Sequence, residues 1–162
     1  MTNATEEEAL TLLKEVGVNY RLVRHPALHH LGDPNAPKGI PQMKSLLLKT
    51  KRDQQYYLYL TKKARIDFGQ VAQAINSSKS QLNFASDDDL MRLLTVHSGT
   101  VTPLALTHDH HNEVILLVDH EIKEDDQVAV HPNQNQATVI MNWLDFTKVM
   151  QVSNHPITVI EG

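Results

Sequence analysis

The segment Val130–Val139, VHPNQNQATV, places polar side chains within an otherwise apolar part of the chain. Its histidine, His131, titrates near neutral pH and can therefore act as a general base. Each polar residue also has an ordinary structural interpretation. His131 precedes a proline in a turn, Asn135 can adopt left-handed backbone, and Thr138 is a common strand residue. Taken alone, the segment also fits a simple hairpin loop.

A second candidate for chemistry is the histidine-rich segment THDHHN, residues 107–112. Imidazole and carboxylate groups are good ligands for zinc or nickel. Consecutive ligands on a tight turn rarely converge on one ion without partners elsewhere. We therefore interpret the segment as an exposed hairpin tip, and we predict no metal site and no other cofactor. A metal-dependent hydrolase that uses this turn is kept as an alternative.

Composition and motifs exclude several classes of protein. The chain of 162 residues has no cysteine, which excludes disulfides, thiolate metal sites and thiol nucleophiles. It contains no glycine-rich phosphate loop, no dinucleotide-binding fingerprint and no nucleophile elbow. With 41% hydrophobic and 21% charged residues, it has the composition of a globular protein. No apolar run approaches the roughly 18 residues of a membrane span, and the polar start MTNATEEE is unlike a signal peptide. We expect one cytoplasmic domain, residues 1–162.

The net charge of −4 conceals an uneven distribution of charged residues. Ten of the nineteen acidic residues lie between Asp87 and Asp126. Eight of the fifteen basic residues fall in one window whose only acid is Asp53, and they are Lys38, Lys44, Lys49, Lys51, Arg52, Lys62, Lys63 and Arg65. Runs of charge usually face water, so a solvated hairpin is the simpler interpretation. A surface for phosphate groups is the alternative.

Capping signals and hydrophobic spacing predict the helices that must position these residues. Thr5 and Glu8 form a capping-box pattern before a helix that ends at Gly17. Asp67 and Ser86 predict the starts of further helices, as does the asparagine before WLDFTKVM near the end of the chain. The proline-rich segment after the first strand is predicted to be a loop.

Apolar and β-branched runs separated by polar turns predict the strands. These runs are YRLV, KSLLLK, YYLYLT, VTPLAL, EVILLVD, QVAV, ATVIM and ITVI. Strands and helices interleave irregularly along the chain, and several strands are joined as hairpins. The sequence therefore predicts an α+β domain built on a mixed sheet.

Three segments, taken in their order along the chain, resemble segments of a known family. The three are MKSLLLK (residues 43–49), GTVTPLAL (99–106) and VHPNQNQATV (130–139). They resemble the superfamily of the YbaK protein and the prolyl-tRNA synthetase editing domain, and within it the free-standing prolyl-tRNA deacylases of the ProX/PrdX type. In that family a lysine opens an apolar strand, a Gly-x-x-x-Pro loop follows a helix, and a His-Pro-x-x-Asn-x-x-Thr segment precedes another strand. The segments RHP, NFASDDDLMRLL and VILLVD extend the resemblance over nearly the whole chain.

The resemblance implies a mixed, barrel-like β-sheet with flanking helices, and hydrolysis of a wrong amino acid from the 3′ end of proline tRNA. It implies catalytic roles for Lys44, Gly99 and His131. It implies substrate contacts by a second set of residues, which are Ser45, Thr102, Pro103, Asn135 and Thr138. The glycine would allow close approach of the backbone to the substrate, and the proline would fix the shape of the loop.

Lys44 and Lys49 compete for one role, since they lie at the two ends of the same predicted strand. Alternation places residues 44, 46 and 48 on one face and residues 45, 47 and 49 on the other, so we expect only one of the two lysines to face the pocket. We choose Lys44 because its position relative to the apolar run matches the lysine of the family. The family often has asparagine after this lysine, whereas this chain has Ser45.

The mechanism suggested by the resemblance is direct attack of water on the ester, assisted by a hydroxyl of the substrate ribose. The chain has no cysteine and no serine in an activating motif, which argues against a covalent intermediate. Backbone groups around Gly99 could place the water and stabilise the oxyanion. His131 could act as the base or only shape the pocket, and both roles stay open.

The resemblance implies that the protein removes alanine from alanyl-tRNA(Pro). Such an enzyme is needed because a synthetase pocket built for proline discriminates weakly against smaller amino acids. Cysteinyl-tRNA(Pro) is an alternative substrate, and a non-catalytic module that binds tRNA or protein is an alternative function. The expected partners are aminoacyl-tRNA(Pro) and, as a second candidate, prolyl-tRNA synthetase. The basic residues expected to contact tRNA phosphates are Lys49, Lys51, Arg52, Lys62 and Lys63.

Overall fold

A computed structural model describes residues 3–162 of the chain. The helices and strands are, in chain order, α1 (Glu6–Val16), β1 (Arg21–Arg24), β2 (Lys44–Thr50), β3 (Tyr56–Thr61), α2 (Phe68–Ala74), β4 (Leu82–Phe84), α3 (Asp87–Leu94), β5 (Val114–Asp119), α4 (His120–Asp125), β6 (Val128–Val130), β7 (Ala137–Met141), α5 (Trp143–Val152) and β8 (Ile157–Ile160). Two short 3-10 helices span Lys79–Gln81 and Pro103–His108.

The strands form two sheets. The larger sheet has the order β4-β2-β3-β5-β8, with antiparallel pairing of β4, β2 and β3 and parallel pairing of β3, β5 and β8. The smaller sheet has the order β1-β7-β6 and is antiparallel throughout. The predicted α+β class and mixed sheet are confirmed. Over residues 3–162 the strands form two open sheets and do not close into a barrel.

Hydrophobic side chains pack on both faces of the larger sheet. On one face, Leu47 of β2 joins the main core, which also includes side chains of α1, α3 and α5. On the other face, Leu46 and Leu48 pack in a smaller cluster with Val71 of α2. The alternation predicted for β2 is therefore present in the structure.

The first half of β2 has a free edge. The neighbouring strand β4 is short and pairs only with Leu48–Thr50. The carbonyl oxygen of Leu47 accepts a last hydrogen bond from the Ala85 N–H at 2.9 Å. The backbone polar groups of alternate residues point toward the same edge of a strand. The N–H and C=O of Ser45 therefore point toward the same edge as the C=O of Leu47, at a position beyond the end of β4.

The predicted helix starts are confirmed by their capping hydrogen bonds. The Thr5 hydroxyl accepts from the Glu8 N–H at 3.2 Å and so caps α1. Ser86 and Asp89 form a reciprocal capping box at α3. Asp67 caps α2 and an asparagine caps α5 in the same way. These signals are local in sequence, so they can be recognised without knowledge of the tertiary structure.

Three predictions of secondary structure were wrong or incomplete. VTPLAL was predicted to be a strand, but Pro103–His108 is a 3-10 helix whose first residue is proline and whose N-cap is Thr102. Proline lacks the N–H that a central strand needs, whereas its fixed φ suits a helix start. The short elements β4 and α4 were not predicted. Within residues 3–162, no helix combines the length and apolar character that a membrane span requires.

Candidate active site

A cavity of about 630 Å³ lies beside the free edge of β2. Its walls come from the start of β2, the irregular segment before it, the start of α3, the loop before the 3-10 helix at Pro103–His108, and the connection between β6 and β7. Six of the residues singled out from the sequence line this cavity, namely Lys44, Ser45, Gly99, His131, Asn135 and Thr138. Sequence positions almost a hundred residues apart thus share one concave surface.

Lys44 lies at the start of β2, with its side chain half-buried in the cavity wall. Its Nζ donates a hydrogen bond to the carbonyl oxygen of Ala64 at 2.8 Å. Partial burial lowers the pKa of this ammonium group. Only one of its three N–H donors has this partner, so the others can bind an anionic or carbonyl oxygen of a ligand.

Of the two lysines at the ends of β2, Lys44 lines the cavity. The consecutive residues from Lys44 to Leu47 line it beside the free edge of the strand. Lys49 does not line it. Its Nζ lies 3.9 Å from a carboxylate oxygen of Asp89 and 5.4 Å from the ring centre of Tyr56.

His131 has a defined tautomer in the cavity wall. Its Nδ1 lies 3.0 Å from the carbonyl oxygen of Ala137. A carbonyl oxygen only accepts, so Nδ1 carries the proton and Nε2 of the neutral ring has a free lone pair. Burial lowers the pKa of His131, which favours the neutral ring at physiological pH. The site therefore contains a neutral imidazole that can accept a proton or orient a water molecule.

A second histidine, which sequence analysis did not assign to the site, supports Thr138. His25 is buried, and its Nδ1 lies 2.8 Å from the carbonyl oxygen of Pro26. Nδ1 must donate there, so Nε2 accepts from the Thr138 hydroxyl at 2.8 Å. The two imidazole centres of His25 and His131 are 6.4 Å apart. The RHP segment contributed to the family resemblance, and that was the signal that could have identified this residue.

Thr102 and Pro103 do not line the cavity, although substrate contacts were expected for them. Both are buried beneath its wall. The Thr102 hydroxyl donates to the carbonyl oxygen of His131 at 2.6 Å and accepts from the Leu104 N–H at 3.3 Å. The Thr102 side chain therefore holds the His131 segment against the 3-10 helix.

Gly99 lies in an exposed part of the loop that borders the cavity. Its φ of +85° is in the left-handed region, where non-glycine residues are disfavoured. A Cβ atom added there would have no neighbour within 4 Å. The requirement for glycine thus comes from the backbone conformation and not from lack of space.

The connection between β6 and β7 is anchored to the start of α1. Asn133 has a φ of +62° and donates from Nδ2 to the carbonyl oxygen of Thr5 at 2.9 Å. Gln134 donates to a carboxylate oxygen of Glu6 at 2.8 Å. The left-handed residue of this connection is Asn133 and not Asn135, at which the sequence also allows that conformation. Asn135 lines the cavity.

The basic residues expected to contact tRNA fall into two groups at opposite ends of the β2–β3 hairpin. Lys51 and Arg52 are exposed in the turn after β2. Lys62 and Lys63 follow β3, at the end where Lys44 pairs with Thr61. Lys62 forms an ion pair with Asp125, and the Nζ of Lys63 lies 3.3 Å from the buried carboxylate of Asp119. The window is thus not one continuous patch of free cations.

The histidine-rich segment of residues 107–112 begins in the last turn of the 3-10 helix and continues into the turn before β5, so it is not the exposed hairpin tip that was predicted. Its side chains have partners other than a metal. His108 Nε2 lies 2.7 Å from a Glu8 carboxylate oxygen. Asp109 is buried and lies 2.8 Å from His155 Nε2. In the part of the chain that the structure describes, no three histidine, aspartate or glutamate side chains are grouped as a metal site would require.

Comparison with known proteins gives a family and a common fold. The family model described as "Aminoacyl-tRNA editing domain" matches residues 34–149. The chain is 29% identical to the prolyl-tRNA editing protein ProX of Acetoanaerobium sticklandii, over 96% of each chain. It is 26% identical to prolyl-tRNA synthetase associated domain-containing protein 1 of Xenopus laevis, over 99% of this chain and 98% of that one. A crystal structure of a candidate trans-editing enzyme for prolyl tRNA synthetase superposes with a TM-score of 0.63 at 13% identity, covering 100% of this chain and 99% of that one.

Proposed function

Because the chain belongs to the family of aminoacyl-tRNA editing domains, we propose that it is a trans-editing deacylase for mischarged tRNA(Pro). The observation that carries this proposal is the cavity that brings Lys44, Gly99 and His131 together beside a free strand edge. The likeness to the ProX protein over nearly the whole chain supports tRNA(Pro) as the carrier. We propose that residues 1–162 act as one editing domain.

The chemistry proposed is hydrolysis of the ester that joins the amino acid to the terminal ribose. The Lys44 ammonium group has N–H donors that can hold the ester carbonyl oxygen or the adjacent phosphate. A fixed donor at that position stabilises the negative charge that develops on the carbonyl oxygen as water attacks. The bond between the carbonyl carbon and the ribose oxygen then breaks, which releases the free amino acid, and the leaving ribose oxygen takes up a proton. The attacking water loses its proton either to a neutral acceptor in the site or to the neighbouring ribose hydroxyl, which passes its own proton to the leaving oxygen.

His131 has the protonation state that an acceptor needs. Its Nδ1–H is held by the Ala137 carbonyl group, and its Nε2 is unprotonated in the neutral ring. The Thr102 hydroxyl fixes the backbone of the same residue. His131 thus orients the water or takes its proton, and its pH dependence distinguishes a base from a residue that only shapes the cavity.

We propose alanine as the amino acid that is removed. A pocket built for proline gains only about 1 to 3 kcal/mol of selectivity against a side chain that lacks one or two methylene groups. A second enzyme with a smaller acyl site can correct this error. Cysteine is the competing substrate, because its side chain is also smaller than proline.

The test is single-turnover deacylation of alanyl-, cysteinyl- and prolyl-tRNA(Pro) by the whole chain, measured side by side. We expect rapid hydrolysis of alanyl-tRNA(Pro) and little hydrolysis of prolyl-tRNA(Pro). Faster hydrolysis of the cysteinyl ester would replace alanine by cysteine in the proposal. Binding of tRNA without hydrolysis of any ester would contradict the enzymatic role and favour a binding module. A chelator in a parallel reaction tests the alternative of a metal-dependent hydrolase.

The partner proposed is aminoacyl-tRNA(Pro), bound partly through phosphates. Prolyl-tRNA synthetase is a second proposed partner, since it would release the mischarged tRNA that this protein corrects. Co-sedimentation of the chain with the synthetase, with and without tRNA(Pro), tests the second partner. A complex that forms only with tRNA present would indicate that the tRNA bridges the two proteins.

A further inference from the structure

Phe84 is an aromatic side chain that is exposed at the rim of the cavity. It is the last residue of β4, 61% of its surface is accessible, and it lines the cavity. The other large hydrophobic side chains that are exposed among residues 3–162 are Ile115, Leu144, Val152 and Val159, and these lie away from the cavity. Single exposed hydrophobic residues are common on protein surfaces, but this ring lies at a candidate binding site, where it can contact a ligand.

The Phe84 ring is held in place from behind by a second ring. Phe68, at the start of α2, lies with its ring centre 5.5 Å away and its plane inclined by 80°. This edge-to-face arrangement is a favourable geometry for two aromatic rings. Phe68 restricts the orientation of the Phe84 ring, and the open surface of Phe84 is left for another planar group.

The register of the sheet places Phe84 on the same face as Lys44. Phe84 lies directly opposite Leu48 in the β2–β4 pairing, and Leu48, Leu46 and Lys44 share one face of β2. Leu46 and Lys44 also line the cavity. Ser45 belongs to the other face. A ligand that crosses the free edge of β2 can therefore contact both Phe84 and the side of the cavity that holds Ser45.

From this arrangement we propose that Phe84 is a stacking platform for the terminal adenine base of the substrate tRNA. Every tRNA carries its amino acid on the ribose of a 3′-terminal adenosine, so the base must lie within one sugar ring of the ester. With the ester held by Lys44 and His131, the base reaches the rim where Phe84 is exposed. Stacking on an aromatic side chain is a common way in which proteins hold single-stranded bases. This inference rests on the proposed function, because it takes aminoacyl-tRNA as the ligand.

The probe is uncharged tRNA(Pro) whose terminal adenine is replaced by 2-aminopurine, a base whose fluorescence is quenched when it stacks. The variants are Phe84→Leu, which keeps apolar bulk but has no ring face, and Phe84→Tyr, which keeps the ring. The matched control is Leu144→Ala, a change at an exposed hydrophobic residue of α5 outside the cavity. Phe84 is largely exposed, so we expect the variants to fold, and melting temperatures check this.

We expect the wild-type protein, Phe84→Tyr and Leu144→Ala to quench the probe, and Phe84→Leu to quench it little. Loss of one stacked base should weaken tRNA binding by roughly 5- to 100-fold in Phe84→Leu. A tRNA that lacks the terminal base should lose a similar factor with the wild-type protein and almost none with Phe84→Leu. This double-mutant cycle assigns the lost affinity to the contact between the ring and the base.

Absence of quenching by the wild-type protein would overturn the stacking proposal, as would equal affinity and equal quenching for Phe84→Leu. Both measurements use uncharged tRNA, so they do not depend on hydrolysis. Quenching that needs Phe84, without turnover of any aminoacyl-tRNA(Pro), would contradict the proposed deacylase and support the stacking site. Turnover without quenching would support the proposed deacylase and contradict the stacking site.

Discussion

Lys44 is the residue whose loss should affect catalysis most directly. Its ammonium group is the cation placed in the cavity wall at the free edge of β2. We expect Lys44→Ala to lower the single-turnover rate on alanyl-tRNA(Pro) about 100-fold or more, because one positioned charge is lost from the transition state. The lost hydrogen bond to Ala64 should cost about 1 kcal/mol of unfolding free energy.

The control for this variant is Lys148→Ala, which removes an exposed lysine of α5 outside the cavity. It should leave the rate and the melting temperature unchanged. A Lys44→Ala protein that melts normally and turns over at the wild-type rate would eliminate the proposed role of Lys44.

His131 gives a prediction for the pH dependence of the reaction. Burial lowers the pKa of its imidazole below the ordinary value of about 6.5. The neutral ring is the form with a free Nε2, so the rate should stay constant from pH 8 to about 6.5 and fall only at lower pH. The measurement is the single-turnover rate constant across this range, corrected for spontaneous ester hydrolysis. If the histidine is the base, His131→Asn should remove the fall of the rate at low pH. If the fall is unaltered in this variant, it belongs to the titration of another group.

The same lowered pKa links protonation of His131 to stability. Below about pH 6.5 the unfolded chain binds a proton at this histidine more readily than the folded chain does. The contribution of the neutral buried ring is therefore complete above about pH 6.5 and is lost as the pH falls toward the folded-state pKa. Chemical denaturation of wild type and His131→Asn should show a difference in free energy of unfolding that changes only in this acidic range.

The Thr102 hydroxyl joins the 3-10 helix Pro103–His108 to the β6–β7 connection. The Thr102 side chain bonds to the His131 carbonyl group and to the Leu104 N–H. Thr102→Val keeps the shape and removes the hydroxyl, so we expect a loss of about 1 to 3 kcal/mol of unfolding free energy and a several-fold lower rate. Thr102→Ser should restore most of both, as measured by melting and single-turnover assays. If Thr102→Val were as active and stable as wild type, the loop and the histidine segment would not depend on this bond.

Elements with local signals could be predicted from the sequence, and elements defined by distant partners could not. Thr5, Asp67 and Ser86 mark helix starts through side chains that bond within three residues, and all three were predicted correctly. VTPLAL has strand composition, but its proline and the cap at Thr102 produce a 3-10 helix. The strand β4 has only three residues, and its pairing with β2 defines it.

The same distinction explains which site residues could be predicted. Lys44, Gly99 and His131 were chosen through the family resemblance, and the structure places them around one cavity. Their catalytic roles stay predictions. His25 and Phe84 were not chosen, although both lie in segments that contributed to the resemblance. The sequence of those segments does not show that His25 bonds to Thr138 or that Phe84 is exposed at the rim. These facts depend on strand pairing and on where β4 ends.

The division of the basic residues into two groups predicts how tRNA binding depends on salt concentration. Lys51 and Arg52 are exposed in the turn far from the cavity, and each can contact a phosphate. Reversing both charges should weaken tRNA binding and reduce the slope of log affinity against log salt concentration by about 2. Titrations at several salt concentrations measure this slope. The double variant Lys14→Glu and Lys148→Glu, at exposed lysines of α1 and α5, is the matched control for net charge. An unchanged slope would identify the turn as a solvated surface without contact to tRNA.

The pairing of β1 with β7 determines when the cavity can form during protein synthesis. Arg21–Arg24 emerges from the ribosome more than a hundred residues before its partner strand, which begins at Ala137. Lys44 and the β2–β3 hairpin can fold while the histidine that faces them has not yet been translated. Long-range pairing of this kind slows folding. Nascent chains arrested before β7 should therefore contain the hairpin but lack a site for tRNA, and the protein should acquire its activity only after β7 has been translated.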